Sequence, residues 1–479
     1  MLFGAILYMY INQRQLLSIL HFLVVLGKEN RSPLVTVSSK RSTAKCCTAA
    51  KNLKSCMDVV VNPDVLGNKN LDLPGGIQVS FSNNIAGDEN AYHYVSKYAD
   101  AIITFNPKSE SMHGHAMLTT GKSFTLENCG VGKHVWKEID TEVLGGNDGV
   151  DYVPYIGNLG TEVFDRKEKR RLVKQAHADN TTMVSYSVAF YITPDFAAAT
   201  PDPVGFINQV IMETNQGYAN SLVPLTVTMH CVVLADINDE SSASSMLSSF
   251  ANMKPTAAEL RSGADAAAIL VNDFSACGIA YLNTISSGFT ISATAKACAV
   301  GYYSFGHEVG HNIGLTHDPD TSSNSVYPYG HGHLIAQGSA TTGYRTILAY
   351  SASGHSSRVN YYSNPNVMYP ITGTPTGVAG LSDNAGLLIN NRMLMAAVGD
   401  ESGTCGDSGV TSGPTTEGPT SSPGTCSTTT GVACVLPFVY NRRTYNTCTT
   451  ADGDAPWCMT ATGWGFCSSG CPGGKYQEK

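Results

Sequence analysis

The chain has 479 residues, of which 42% are hydrophobic and only 14% charged, and its net charge is −8. That length suggests about three domains. No basic stripe and no alternation of aromatic with basic residues occurs, which argues against a nucleic-acid partner.

Arg14 precedes an apolar stretch, Leu16 to Gly27, that is nearer a signal-peptide core than the roughly 20 residues of a membrane span. Residues 1–27 are therefore expected to be a signal peptide cut after Gly27, with Met9 as an alternative start. No later segment is long and apolar enough for a transmembrane span, so the mature chain is expected to be soluble, secreted and extracellular. Fourteen cysteines, seven of them in the last 75 residues, point the same way, to an oxidising compartment and disulfides. Asn30 and Asn180 open acceptor triplets for glycosylation.

Residues 28–171 alternate short apolar runs such as Ala101 to Phe105 and His115 to Leu118 with Gly and Asn turns, as a small β-rich domain does. The basic run from Arg166 to Arg171 closes this region and is read as a processing site after Arg170 and Arg171, a solvated turn being the alternative. Residues 28–171 would then be a propeptide. Cys129, flanked by glycines, is either a thiolate that masks a metal in the precursor or a disulfide partner of Cys46, Cys47 or Cys56.

From 172 to 404 strands alternate with helices. Val184 to Ile192, Leu225 to Leu234 and Ala266 to Asn272 read as strands, and Gly205 to Ser221 as a helix, so an α/β sandwich with a mainly parallel sheet is expected. A further helix is expected around 299–313. It carries His307, Glu308 and His311. Residues four apart on a helix share a face, so both imidazoles reach one ion. Gly314 ends the helix with a sharp turn that returns His317 as a third ligand. Three ligands leave one position for water, as a catalytic zinc requires, and Glu308 is the expected general base. Cys277 and Cys298, ahead of this helix, are either bonded to each other or free buried thiols.

Residues 405–425 are dominated by Ser, Thr, Gly and Pro and read as a linker. Residues 426–472 follow, too few to hold themselves together without disulfides.

The run His307-Glu-Val-Gly-His311-Asn-Ile-Gly314-Leu-Thr-His317-Asp318 resembles the zinc signature of metzincin metallopeptidases, and Asp318 makes it similar to the reprolysin (adamalysin) branch. Together with Asp273 to Tyr281, Tyr344 to Tyr350 and Tyr362 to Val367, it resembles a reprolysin-like group that includes peptidyl-Asp metalloendopeptidases. The resemblance implies a metzincin-type catalytic domain, with a twisted mixed sheet and an active-site helix, and one catalytic Zn2+. It puts Leu348 where metzincins keep a Met in a tight turn under the metal, with Met368 as the other candidate. Leu for Met is a volume-conserving swap, so zinc binding is still expected. Tyr350 takes the place of a tyrosine that in some metzincins approaches the oxyanion. Arg345 and Arg358 fall where the family builds the pocket for the residue after the cleaved bond, and are either the source of an acidic preference or ordinary surface arginines.

Cys434, Phe438, Tyr440, Tyr445, Cys448, Trp457, Cys458, Trp464, Phe466 and Cys467 together resemble a fibronectin type II module. The family pairing implies Cys434–Cys458 and Cys448–Cys467, and Cys426 and Cys471 flank the module as a third pair. Phe438, Tyr440, Tyr445, Trp457 and Trp464 would form its binding surface, toward collagen, gelatin or another matrix protein. The stretch between Cys458 and Trp464 is shorter than the family pattern. Two readings follow: a secreted zinc endopeptidase made as a zymogen, or a catalytically inactive, zinc-containing extracellular binding protein.

Overall fold

The computed structural model describes residues 35–41, 53–61, 70–140, 151–154, 171–400 and 405, with 434, 438–440, 443–445, 448–450, 456–460, 463–468 and 471. Within these ranges 75–76, 86–87, 89, 131, 173, 177–178, 323–325, 339–341 and 356 are excepted. The expected signal peptide, Asn30, Cys46, Cys47, the basic run from Arg166 through Arg170, linker residues 406–425 and Cys426 lie outside the described residues.

The first region folds as nine antiparallel strands: β1 (Val35–Arg41), β2 (Leu53–Val61), β3 (Asn70–Leu73), β4 (Ile77–Asn84), β5 (Ala91–Val95), β6 (Ala99–Asn106), β7 (Ser111–Leu118), β8 (Ser123–Asn128) and β9 (His134–Ile139). Their order is β1-β2-β9-β8-β7-β6-β5-β4-β3. Leu71, Leu73, Tyr94, Ile103, Met112 and Trp136 fill the core.

The second region is a six-stranded mixed sheet in the order β10-β14-β15-β13-β11-β12. Its strands are β10 (Tyr152–Pro154), β11 (Val184–Ile192), β12 (Leu225–Leu234), β13 (Ala266–Val271), β14 (Gly278–Leu282) and β15 (Ile291–Ala295). β11 runs parallel to β12 and β13, and β13 to β15, whereas β14 is antiparallel to β15. Among the described residues the region's helices include α1 (Pro194–Ala199), α2 (Pro203–Asn220), α3 (Ala243–Ala251), α4 (Ala257–Arg261), α5 (Lys296–Ala299), α6 (Ser304–Ile313) and α7 (Asn384–Met395).

Period-two alternation explains the layers. Tyr186, Val188, Phe190 and Ile192 of β11 join Ala266, Ala268 and Leu270 of β13 in one core, with Phe206, Val210 and Ile211 of α2 and Phe305, Val309 and Ile313 of α6. Ala189, Tyr191, Ala267, Ile269 and Val271 face the opposite layer, where Met246, Leu247 and Phe250 of α3 and Leu260 of α4 cover them. Helices on both faces bury β13 throughout and β11 from Tyr186 on, which is why Val188–Ile192 and Ala266–Val271 read as continuous apolar runs.

β10 departs from the expected domain boundary at 171. Although it lies within the region read as a propeptide, it joins the α/β sheet, pairing parallel with β14 through Tyr152↔Ala280, Val153↔Tyr281 and Pro154↔Leu282. Arg171 is exposed and helical.

The nine-stranded domain seats β6 and β7, at the middle of its sheet, on α2. Thr104 donates to Gln209 Oε1 (2.9 Å), and Gln209 donates to the Ile102 carbonyl (3.1 Å). Asp202 caps α2 by accepting from the Gly205 amide, and the same carboxylate accepts from Asn106, Ser109 and Ser111.

Disulfides join Cys231 to Cys405 and Cys277 to Cys298. Cys129 is also disulfide-bonded. Its thiolate is therefore unavailable to a metal, and the expectation of a cysteine mask is corrected. In the C-terminal region Cys434 is bridged to Cys458 and Cys448 to Cys467 around the antiparallel strands Trp457–Thr460 and Gly463–Phe466. Trp457 is buried against these cysteines and serves packing, so it is removed from the expected binding surface. The side chains of Phe438, Tyr440, Tyr445 and Trp464 lie outside those described. Among the described residues no helix is long and apolar enough to cross a membrane.

Candidate active site

α6 carries His307, Glu308 and His311 through the interior of the α/β domain, with every residue of the helix buried. Asn312 ties it in place, donating to the carbonyls of Tyr281 (2.7 Å) and Ile291 (3.1 Å) on the neighbouring strands. Gly314 ends the helix at φ 109°, a left-handed conformation in which a side chain is strained, and the Gly314 and Leu315 amides close on the Gly310 carbonyl. The chain then reverses, and Thr316 takes a hydrogen bond from its amide to the Gly330 carbonyl (2.8 Å), which delivers His317 to the same point.

The three imidazoles converge edge to edge. His307 Nε2 is 3.0 Å from His311 Nε2, which is 3.1 Å from His317 Nε2. His307 Nδ1 donates to the Ile347 carbonyl (2.7 Å) and His311 Nδ1 to the Leu315 carbonyl (2.9 Å). These bonds fix the tautomers, so the lone pairs of both Nε2 atoms point inward. Burial pushes His307 down to about 3 and also lowers His317, despite the nearby Asp151 carboxylate. Neutral imidazoles with converging lone pairs repel one another unless a cation lies between them. Around a tetrahedral ion with metal–nitrogen bonds of about 2.0–2.1 Å the donors stand about 3.3 Å apart, so the residues present fit a metal.

Glu308 is buried beside β14, where Gly278 leaves it room: a Cβ there would lie 2.1 Å from Glu308 Oε1. Leu348 is fully buried in the turn closed by the Ala349 amide on the Thr346 carbonyl, packed under α6 near Gly310. That turn also presents the Ile347 carbonyl to His307. Met368, the other candidate for the turn, is exposed. The Tyr350 ring stacks on His317 at 3.8 Å between centroids, and its amide donates to Asp318, which Thr321 also contacts.

Arg345 and Arg358 are both buried, so the surface alternative is corrected. They flank Tyr302: Arg345 donates to its hydroxyl and Arg358 to its carbonyl (3.1 Å), with the guanidiniums 5.2 and 4.2 Å from its ring centre. Stacking and carbonyl contacts draw these charges inside.

One residue of the site was not anticipated. Asp151 Oδ2 lies 3.0 Å from His307 Nε2, and its Oδ1 lies 2.8 Å from His317 Nε2 and 3.4 Å from His311 Nε2. The Tyr152 ring packs against His311 and His317 at 5.1 and 5.3 Å. No local pattern marks Asp151, which stands 156 positions before His307.

A helix bearing two histidines and a glutamate, a turn returning a third histidine and a mixed sheet alongside define a metallopeptidase domain. Residues 185–363 match the family model of metallo-peptidase family M12 and residues 434–467 that of the fibronectin type II domain, and the chain carries one domain of each. Its relatives include two proteins named peptidyl-Asp metalloendopeptidase from Stenotrophomonas maltophilia. One, from strain K279a, is 34% identical over 290 residues, and the other, from strain R551-3, is 31% identical over 287. Each alignment covers 58% of this chain and 66% of the relative, so the chain spans just under two thirds of their length. A third relative of that name, from Xanthomonas campestris, is 28% identical over 285 residues, covering 58% of this chain and 65% of its own.

Proposed function

We propose that the chain is a secreted zinc metalloendopeptidase, made as a precursor, whose C-terminal module holds it near a protein or matrix surface. The observation that carries this reading is the convergence of three imidazoles, with His311 Nε2 within 3.1 Å of the Nε2 atoms of His307 and His317, one residue from the buried carboxylate of Glu308. His307, His311 and His317 would hold the zinc, which supplies polarisation of a peptide carbonyl and acidification of a water near neutral pH. Glu308 takes the water's proton and passes it to the leaving amine. Tyr350, anchored by its amide and its stacking on His317, donates its hydroxyl to the developing oxyanion. The relatives' name carries a preference for aspartate. In this chain we assign that preference to Arg345 and Arg358, buried beside the turn after His317, where Arg345 donates to the Ala349 carbonyl (2.6 Å).

Leu348 in place of the family's Met is what supports a second reading, an inactive zinc-containing adhesion protein. Against it stands the turn itself, which keeps the Ile347 carbonyl on His307. Glu308→Gln, assayed on casein or gelatin after removal of the N-terminal domain, is expected to lower turnover by about 10²–10⁴-fold with zinc content unchanged. Unchanged turnover would overturn the mechanism, and an inactive wild type that holds zinc would favour the binding protein.

A further inference from the structure

We infer that Asp151 is a fourth, anionic ligand to the metal and that the segment 151–154 is an internal latch filling the substrate cleft. The inference rests on the metallopeptidase reading and adds how that site is kept closed. Three observations meet here. The Asp151 carboxylate faces all three histidines, with both oxygens within 3.0 Å of an imidazole nitrogen, at the position a catalytic metal needs for water. The residue is buried, and its backbone carbonyl accepts from the Ala280 amide (2.9 Å), so its approach is fixed by the main chain as well as by the side chain. Tyr152 to Pro154 then continue as a strand on the edge of β14.

An extended segment added to a sheet edge is also the way an extended peptide substrate is held. The segment thus uses the binding mode of a substrate while turning a side-chain carboxylate, not a peptide carbonyl, toward the metal. A carboxylate there excludes water and offers no bond for Glu308 to help cut, so the segment is held without being hydrolysed. Tyr152, packed on His311 and His317, closes the cleft around that ligand. Cys129 has no part in this, being held in a disulfide.

The test uses the full-length uncleaved chain loaded with Co(II), whose visible absorption reports the ligand set independently of turnover. Acetohydroxamate serves as a small competing anion. The wild-type chain is expected to bind one Co(II) and to show a spectrum insensitive to acetohydroxamate. Asp151→Ala is expected to bind one Co(II), to show a changed spectrum, and to take acetohydroxamate about tenfold more tightly or better, the factor lost when a closed state dominates. Asp151→Asn keeps the volume and the strand pairing while removing the charge, and is expected to shift in the same direction. Identical spectra and affinities in wild type and both variants would overturn the latch, as would a wild-type chain that takes acetohydroxamate as tightly as Asp151→Ala. Should Asp151→Ala fail to fold, Asp151→Asn and the wild-type response decide alone. A chain that binds no Co(II) contradicts the metallopeptidase reading itself, which separates the two failures.

Discussion

The interior of the α/β domain and its seam with the nine-stranded domain are built from different materials. The interior is apolar: Val188, Phe190, Ile269 and Leu270 are fully buried between helices on both faces of the sheet. The seam is more polar: its buried contacts include Thr104 with Gln209 and Ser111 with Asp202, beside apolar ones such as Met212 with Ile102. Glu213, also buried, accepts from the Gln209 side chain (2.9 Å) and the Gly301 amide (2.8 Å). Apolar burial is non-directional and scales with area, whereas a polar contact is worth keeping only while each donor has its acceptor. The first gives a body that stays folded as neighbours change. The second gives a joint that depends on each pairing and on pH, ahead in sequence of the segment that carries Asp151.

The largest effect expected from breaking this contrast comes from Asp202→Asn. Asparagine still caps α2 at Gly205, but it lacks the charge that Ser109, Ser111 and Asn106 share, and His113 lies 3.5 Å away. Burial works against this carboxylate's charge, yet hydrogen bonds with His113 and Ser111 hold it below the usual carboxylate range. Leaving such groups mismatched costs about 1–3 kcal/mol. Calorimetry should therefore show the nine-stranded domain melting earlier while the α/β domain keeps its own transition. A single transition shifted as a whole would mean that the seam is as integral as the core.

A smaller effect is expected from Glu213. Burial lifts its carboxyl from 4.5 to about 8, against hydrogen bonds from Gly301 and Gln209. Below pH 4.5 it is protonated in both states. As pH rises toward 8 the unfolded chain releases the proton and the folded chain retains it, so stability is lost across that window. Glu213→Gln should flatten the fall in Tm between those two values, and an unchanged slope would remove this residue as its source.

The smallest change is expected inside the core. Leu348→Met installs the residue that metzincins keep in the turn, and a volume-conserving swap alters stability by less than about 1.5 kcal/mol. Zinc affinity and turnover should stay close to wild type. A large gain in either would show that the leucine had weakened the site.

Much of the α/β domain was legible because its strands obey a two-residue period and sit between covered faces. The strands at Val184–Ile192 and Leu225–Leu234 have the expected bounds, and the expected helix from Gly205 begins two residues earlier, where Asp202 caps it and Pro203 opens it. The active-site helix is shorter than expected, because Tyr303 adopts a left-handed conformation that separates α6 from α5. Arg345 and Arg358 were ambiguous for a different reason: charge usually marks a surface, whereas here the Tyr302 ring and the carbonyls at their tips support burial.

What the amino-acid order determined by itself is the run from His307 to His317. Helix geometry places residues four apart on one face, and a glycine in a left-handed turn returns the third ligand, so local spacing suffices. Only the tertiary structure decided what faces them. Asp151, 156 positions before His307, arrives at the head of an edge strand, and no period or short motif constrains an approach over that distance. It depends on where the nine-stranded domain docks, how β10 pairs and which faces remain to be covered.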